Sequence, residues 1–319
     1  MQTGCLFSVI SVFLIAMMLI CLVGCAPQND APTEQTATTE SSLSTESTGS
    51  TQSTQSSDPP PSSEAPTDPR TGWYEENGEK WYYDESGVML TGWQEIDGLQ
   101  YYFRDDGTMA RGKVVIDGAN HFFTSAGQSI LLVNPWNPLP EGYEPDLVEM
   151  PSSLSTSGNN KVDRSCYDAL IQMLTDCNKE CPKACAVSCF RSYDYQVKLF
   201  NRKVNFYLDK GYEKAEAEKL AAAVVAVPGT SEHHTGLAID IVDTRSWSLE
   251  EEQANLPAQK WLMANSWKYG FVLRYPADKT EITGIIYEPW HYRYVGKEVA
   301  AELHESGQTL EEYIDSLTK

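Results

Sequence analysis

Residues 71–130 repeat a 20-residue unit three times without a gap, and this repeat limits what the chain can fold into more than any other feature of its 319 residues. The units TGWYEENGEKWYYDESGVML (71–90), TGWQEIDGLQYYFRDDGTMA (91–110) and RGKVVIDGANHFFTSAGQSI (111–130) align at Gly72/Gly92/Gly112, Gly78/Gly98/Gly118, Gly87/Gly107/Gly127 and an aromatic column Tyr82/Tyr102/Phe122. Each unit places Asn-Gly or Asp-Gly (77–78, 97–98, 117–118) between short alternating runs, the pattern of a two-residue β-hairpin turn. A lone hairpin is marginal in water, so the units must pack on one another. The expectation is a small all-β hairpin-repeat solenoid over 71–130.

Ahead of it, residues 25–70 are Ser, Thr, Pro, Gln and Glu with almost no large apolar residue, which cannot bury a core and reads as a disordered tether. A coil of that length has a dimension on the order of 35–40 Å. Residues 5–24 (CLFSVISVFLIAMMLICLVG) are uncharged and end in small residues before Cys25, which marks 1–24 as an export segment. Leu22-Val23-Gly24-Cys25 resembles a bacterial lipobox, which implies lipid on Cys25 and a lipid-anchored chain on the extracellular face of the cytoplasmic membrane, reaching into the cell wall. Met1 to Gly4 lack Lys and Arg, and the apolar run is almost long enough to span a bilayer, so an uncleaved anchor stays open. Outside the cell, disulfides are permitted among Cys166, Cys177, Cys181, Cys185 and Cys189, whose pairing the sequence does not choose. A metal site on that run is disfavoured by its four-residue spacing. The net charge of −21, with few Lys and Arg, argues against nucleic acid as a partner, since phosphate binding needs a basic face.

Residues 131–160 are Pro-rich and without helical period, an expected extended linker arm. Residues 161–319 are long enough for one domain with a full core. Helical patterns fall at 161–178, 193–209, 212–226, 257–268, 296–305 and 309–317, and strand patterns at 184–190, 236–243, 270–275 and 284–295. That order predicts an α+β domain with a short antiparallel sheet.

Two polar clusters stand out there. Asp240 interrupts a strand that is otherwise Leu, Ala, Ile, Ile and Val, and a buried carboxylate is costly without a paired charge or metal. His233 lies seven positions earlier across Gly236, where the chain can bend so that both side chains converge. In the second cluster, strand alternation would put Glu288 and His291 on opposite faces, but Pro289 cannot donate to a ladder and a bend at Pro289-Trp290 could bring them to one side. A catalytic zinc takes three protein ligands and a nearby carboxylate to move a proton, an inventory that two His, one Asp and one Glu satisfy. Among their neighbours, His234 is expected to point away from the metal, Asp243 to be a surface or strand-end carboxylate, and Arg293 to brace the sheet rather than contact substrate.

S-x-H-x-x-G-x-A-x-D at Ser231–Asp240 and E-x-W-H at Glu288–His291 resemble the signatures of VanY-type D-alanyl-D-alanine carboxypeptidases and their L,D-carboxypeptidase relatives, and the likeness continues through CFRSYDYQ (189–196), YGFVLRYP (269–276) and YEPWHYRYVG (287–296). The resemblance implies a hedgehog/D-Ala-D-Ala-peptidase-like fold over 161–319 and Zn2+ on His233, Asp240 and His291. It further implies Glu288 as general base and then acid, and Arg191 stabilising an oxyanion or binding substrate. Ser192, Tyr193, Gln196 and Ser231 are the nearest polar candidates for reading a substrate's terminal carboxylate. The implied substrates are peptidoglycan stem peptides: the last D-alanine of a pentapeptide, or one residue further in on a tetrapeptide. A non-catalytic wall-binding protein with a dead hydrolase domain is the reading from another class, and the complete residue set argues against it. The 71–130 units resemble cell-wall-binding repeats of the choline-binding type, in which aromatics cage a quaternary ammonium. Trp73, Trp81, Tyr82, Trp93 and Tyr102 could form such a cage for a wall polymer, or simply be the hairpins' core. Lys113 and His121 replace two of the aromatics in the third unit, which weakens choline as the ligand.

Overall fold

A computed structural model describes residues 70–156, 158, 160–181 and 183–318. The export segment, Cys25 and the tether lie outside them. Among the described residues no helix is long and apolar enough to cross a membrane.

Three antiparallel hairpins follow the 20-residue period: β1 (Gly72–Glu76) with β2 (Glu79–Tyr83), β3 (Gly92–Ile96) with β4 (Leu99–Phe103), and β5 (Gly112–Ile116) with β6 (Ala119–Phe123). Asn77, Asp97 and Asp117 adopt φ of 52°, 53° and 51° before a glycine that is also left-handed, the backbone a two-residue turn of this kind demands. Successive units are tied by main-chain bonds, Met109 N–H to Lys80 O (2.8 Å) and Ser129 N–H to Gln100 O (2.7 Å). Phe103, Met109 and Phe123 are fully buried between them.

The stretch 131–160, expected as an arm, contributes β7 (Leu147–Glu149), which pairs with β8 (Lys161–Asp163) and sets Val148 opposite Val162. Met150 is buried in the core that follows. Asp163 then caps α1 (Arg164–Glu180) by accepting from Ser165 N–H, which is why the helix starts three residues later than its apolar pattern. Cys166, Leu170, Met173, Leu174 and Cys177 form the buried stripe of α1, spaced as one helical face.

That stripe packs on a four-stranded antiparallel sheet in the order β11-β12-β10-β9. Its strands are β9 (Ala184–Ser188), β10 (Ala238–Asp243), β11 (Phe271–Leu273) and β12 (His291–Tyr294). Every residue of β10 is buried. Alternation sends Ile239 and Ile241 into the α1 core and leaves Asp240 for the other face. Between the strands lie α2 (Tyr193–Leu208), α3 (Lys214–Ala222), α4 (Pro257–Asn265) and the short α5 (Thr280–Thr283), and α6 (Lys297–Ser306) and α7 (Leu310–Ser316) close the chain.

The strand pattern over 284–295 is realised only at 291–294. Gly284, at φ 78°, ends α5, and Pro289 opens a turn instead of extending a ladder. All five cysteines of this domain are free, so the permitted disulfides are not formed. Burial pushes the Cys166 and Cys177 thiols up to about 12, and they serve as small apolar core residues.

The third repeat docks on the C-terminal helices. Phe122, Ile130 and Leu132 share one buried cluster with Val299, Leu303, Leu310, Tyr313 and Ile314. Ser125 Oγ donates to Glu302 (2.9 Å), and its N–H donates to the Tyr313 hydroxyl (3.1 Å).

Candidate active site

Asp240 on β10 is the register partner of His291 on β12, so their side chains rise side by side from the sheet. His233 arrives from outside it, on a single 3-10 turn over Glu232–Thr235 that Gly236 terminates at φ 71°. A Cβ at Gly236 would lie 2.7 Å from the Asp163 backbone nitrogen, so both its conformation and its neighbour require glycine. Glu288 comes from the loop before β12. The Pro289-Trp290 turn, closed by His291 N–H to Glu288 O (3.1 Å), returns the chain so that Glu288 Oε2 lies 3.7 Å from His291 Nδ1.

These four side chains are buried together. His233 Nε2 is 3.2 Å from Asp240 Oδ2, and His291 Nδ1 is 3.0 Å from Asp240 Oδ1. One ligand atom from each of His233, Asp240 and His291 lies within 4.8 Å of the others, and this is the group of three able to hold a metal ion among the described residues. The donor set fits a divalent cation of zinc's preferences, two imidazoles and a carboxylate. The tautomer of His233 fits too. A carbonyl can only accept, so the 2.8 Å contact of Nδ1 with Cys189 O puts the proton there and leaves the Nε2 lone pair facing Asp240.

The electrostatics of the cluster suit a cation. Burial works against the Asp240 carboxylate, but His233 and His291 outweigh it and hold the group ionised. Burial, helped by Arg191, lowers His233 to about 4. His291 also suffers from burial, yet Asp240 and Glu232 raise it to about 9. Burial pushes Glu288 up to about 8, seconded by the Asp240 charge and opposed by His291.

Arg191 reaches the site from the loop after β9. Its Nη2 is 3.5 Å from Asp240 Oδ2 and donates to Ser188 Oγ (3.0 Å), while Nη1 donates to Gln196 Oε1 (2.9 Å). Gln196 is fully buried and its Nε2 donates to Ala226 O, so this amide holds Arg191 in place from within the protein. Ser192 caps α2 by accepting from Tyr195 N–H, and Ser231 is buried at the start of the His233 turn. Tyr193 is 59% exposed and stacks on His234 at 6.0 Å. His234 itself is used up by the fold, with Nδ1 on Arg191 O (2.7 Å) and Nε2 accepting from Gly229 N–H (3.2 Å).

The structure sharpens the reading of two neighbours. Asp243 does end its strand, but it is fully buried there, accepting from Arg245 and from Ala258 N–H at the start of α4, and is no surface carboxylate. Arg293 does brace the sheet, but through a charged cluster that sequence reading missed. Its Nη1 and Arg274 Nε both donate to Glu232 Oε1 at 2.8 Å, and all three residues are buried. The available signal was three charged residues inside otherwise apolar or turn segments.

In the repeats, Trp73 meets Tyr82 and the next unit's Tyr101, each at 5.1 Å, and Trp93 meets Tyr102 (5.3 Å) and His121 (5.1 Å). Trp81 is not brought into either group. It pairs in register with Tyr74 on the other face of its hairpin and donates to Asp106 O.

Fold and site define a class: an α+β domain that gathers two histidines, an aspartate and a glutamate at the middle of a short antiparallel sheet. The family model described as D-alanyl-D-alanine carboxypeptidase (VanY) matches residues 159–297, a choline-binding repeat model matches 90–130, and a cell wall binding repeat model matches 71–89. A D-alanyl-D-alanine carboxypeptidase of Enterococcus faecalis is 38% identical over 188 residues, 59% of this chain and 66% of the relative, so the chain spans about two thirds of that protein's length. A vancomycin-resistance VanY D,D-pentapeptidase from a VanB-type cassette, solved as a mutant in complex with Zn(II), is similar at TM-score 0.51 and 38% identity, covering 58% of this chain and 97% of that one. The LdcB LD-carboxypeptidase structure is similar at TM-score 0.52 and 36% identity, covering 64% and 94%. This chain belongs to the VanY D-alanyl-D-alanine carboxypeptidase family, and cell-wall-binding repeats precede its family domain.

Proposed function

We propose that the chain is a zinc-dependent D,D-carboxypeptidase that removes the terminal D-alanine from peptidoglycan stem pentapeptides. The observation that carries this reading is the convergence of His233, Asp240 and His291 within 4.8 Å, with Glu288 3.7 Å from His291. His233, Asp240 and His291 hold the metal. Zinc, when bound there, supplies a Lewis acid for the scissile carbonyl and draws the Glu288 carboxyl down from its raised value.

Glu288 takes the proton of the attacking water and returns it to the leaving amine, a role suited to a carboxyl that burial has moved toward neutral pH. Arg191, fixed by Gln196 and Ser188, offsets the negative charge that develops on the substrate oxygen, and its buried Nε–H has no acceptor among the described residues. Ser192, Tyr193 and Ser231 are the polar groups nearest to read the free carboxylate. Lipid on Cys25 anchors the chain to the membrane, the tether gives it reach, and the Trp73 and Trp93 clusters of the repeats engage a wall polymer.

The second reading is an L,D-carboxypeptidase, favoured by the similarity to LdcB. Incubating the zinc-loaded chain with pentapeptide and tetrapeptide muropeptides and weighing the products separates the two. Loss of one D-alanine from the pentapeptide alone supports the first reading, and loss from the tetrapeptide alone supports the second. No loss from either overturns both.

A further inference from the structure

We propose that Glu232 is a positioning residue for the metal site, gripping the far nitrogen of His291 so that its near nitrogen faces the metal, and that this grip is anchored in the C-terminal helix and the end of the repeats. The inference rests on the reading of His291 as a ligand.

The two histidines face the same demand. Each must carry its proton on the nitrogen remote from Asp240, so that the other lone pair is free for a cation. His233 meets the demand with a backbone carbonyl, Cys189 O, at 2.8 Å. Among the described residues no backbone carbonyl does this for His291. Its Nε2 is buried and has no other hydrogen-bond partner among the described residues, and the acceptor facing it, Glu232 Oε2 at 3.5 Å, is likewise buried with no other donor there. Of the two neutral tautomers that could bind a cation, the one with the proton on His291 Nε2 serves both atoms, and it leaves the Nδ1 lone pair beside Asp240 Oδ1 at 3.0 Å.

The rest of the cluster is built to keep Oε2 free for that use. Both arginines donate to the other oxygen, Oε1, at 2.8 Å. A buried carboxylate made only to offset one arginine would present both oxygens to its fork, as Glu311 does to Arg274 at 2.9 and 2.6 Å. Two positive groups on one oxygen hold Glu232 as an anion and fix its rotation.

Each arginine then leads outward. Arg274 is held by Glu311 on α7, whose Oε1 also accepts from Asn134 Nδ2 at 3.0 Å. Arg293 Nη2 donates to Leu131 O, one residue beyond the third repeat. The orientation of one metal ligand is therefore set by contacts from both sides of the family domain's boundary.

The test uses the full chain loaded with zinc. Histidine-labelled nitrogen NMR on the unaltered protein is expected to give His291 a zinc-shifted Nδ1 and a slowly exchanging Nε2–H. A protonated Nδ1, or an Nε2–H that exchanges as fast as free imidazole, overturns the proposal without any variant. In Glu232→Gln, which keeps the volume and removes the charge, zinc affinity measured by chelator competition is expected to fall about 10- to 100-fold, the usual loss for an outer partner of a ligating histidine. The Nε2–H is expected to exchange faster, while the far-ultraviolet circular dichroism stays that of the parent. A folded Glu232→Gln that binds zinc within twofold of the parent overturns the proposal and leaves the site reading intact. A parent chain that binds no zinc removes the reading of the site on which the proposal rests. If Glu232→Gln does not fold, the NMR result on the unaltered protein decides.

Discussion

Glu288 and His291 are three residues apart and yet meet, because Pro289-Trp290 turns the chain between them. Glu288→Gln keeps the shape and cannot accept a proton. Its expected effect is a loss of about 10²- to 10⁴-fold in turnover with zinc content still near that of the parent, checked by product mass and by metal analysis of the same sample. An equal loss of zinc would instead make Glu288 a ligand. The titration states give a second expectation. His291, raised to about 9, and Glu288, raised to about 8, both hold protons at pH 7 in the metal-free protein, whereas His233, lowered to about 4, is already neutral. Zinc must displace what is bound, so uptake at pH 7 should release about one to two protons, and affinity should climb with pH until about 9 and fall on acidification. Calorimetry in buffers of different ionisation enthalpy measures the proton count, and a count of zero would contradict the assignment of His291.

At the scale of the element, the hairpins, α1, α2, α3, α4, α6 and α7 and the strands β9, β10 and β11 were legible, because period and punctuation are local: Asn-Gly at a turn, the apolar stripe of α1, alternation through Ile239, Asp240 and Ile241. Asp240 was legible as an anomaly for the same reason. What was not legible is non-local. Nothing near Val148 says that it pairs with Val162, so 131–160 read as an arm, and the 284–295 run read as one strand because Ile285, Ile286 and Tyr287 are apolar whether in a ladder or a loop. Glu232 was missed because its partners, Arg274 and Arg293, lie 42 and 61 residues away. Gly236 shows how an element can carry a site. Gly236→Ala puts a Cβ against Asp163 N and a side chain at φ 71°, and is expected to destabilise the domain by more than about 1 kcal/mol and to weaken zinc binding with it. Urea denaturation and chelator competition on one preparation check both. Unchanged zinc affinity would mean that the His233 turn is held without Gly236.

For the whole molecule, the repeats and the family domain are not merely strung together. Phe122, Ile130 and Leu132 fill a cluster that otherwise belongs to α6 and α7, and burying each such side chain stabilises by roughly 1.5–3 kcal/mol. Deleting 71–130 removes Phe122 and Ile130 from over Val299, Leu303, Leu310, Tyr313 and Ile314. The shortened protein is expected to melt at a lower temperature and to bind a hydrophobic dye that the parent does not, as calorimetry and fluorescence would record. A shortened protein with the parent's melting temperature would mean that the docking contributes nothing to stability.

The same docking has an evolutionary side. The surface that meets α6 and α7 is supplied by the last unit, while each earlier unit is joined to its successor by one repeated pattern, Met109 N–H to Lys80 O and then Ser129 N–H to Gln100 O. Copy number is thus a parameter that duplication or deletion of 20-residue blocks at the N-terminal end can change, lengthening or shortening the repeat array while the family domain is inherited untouched.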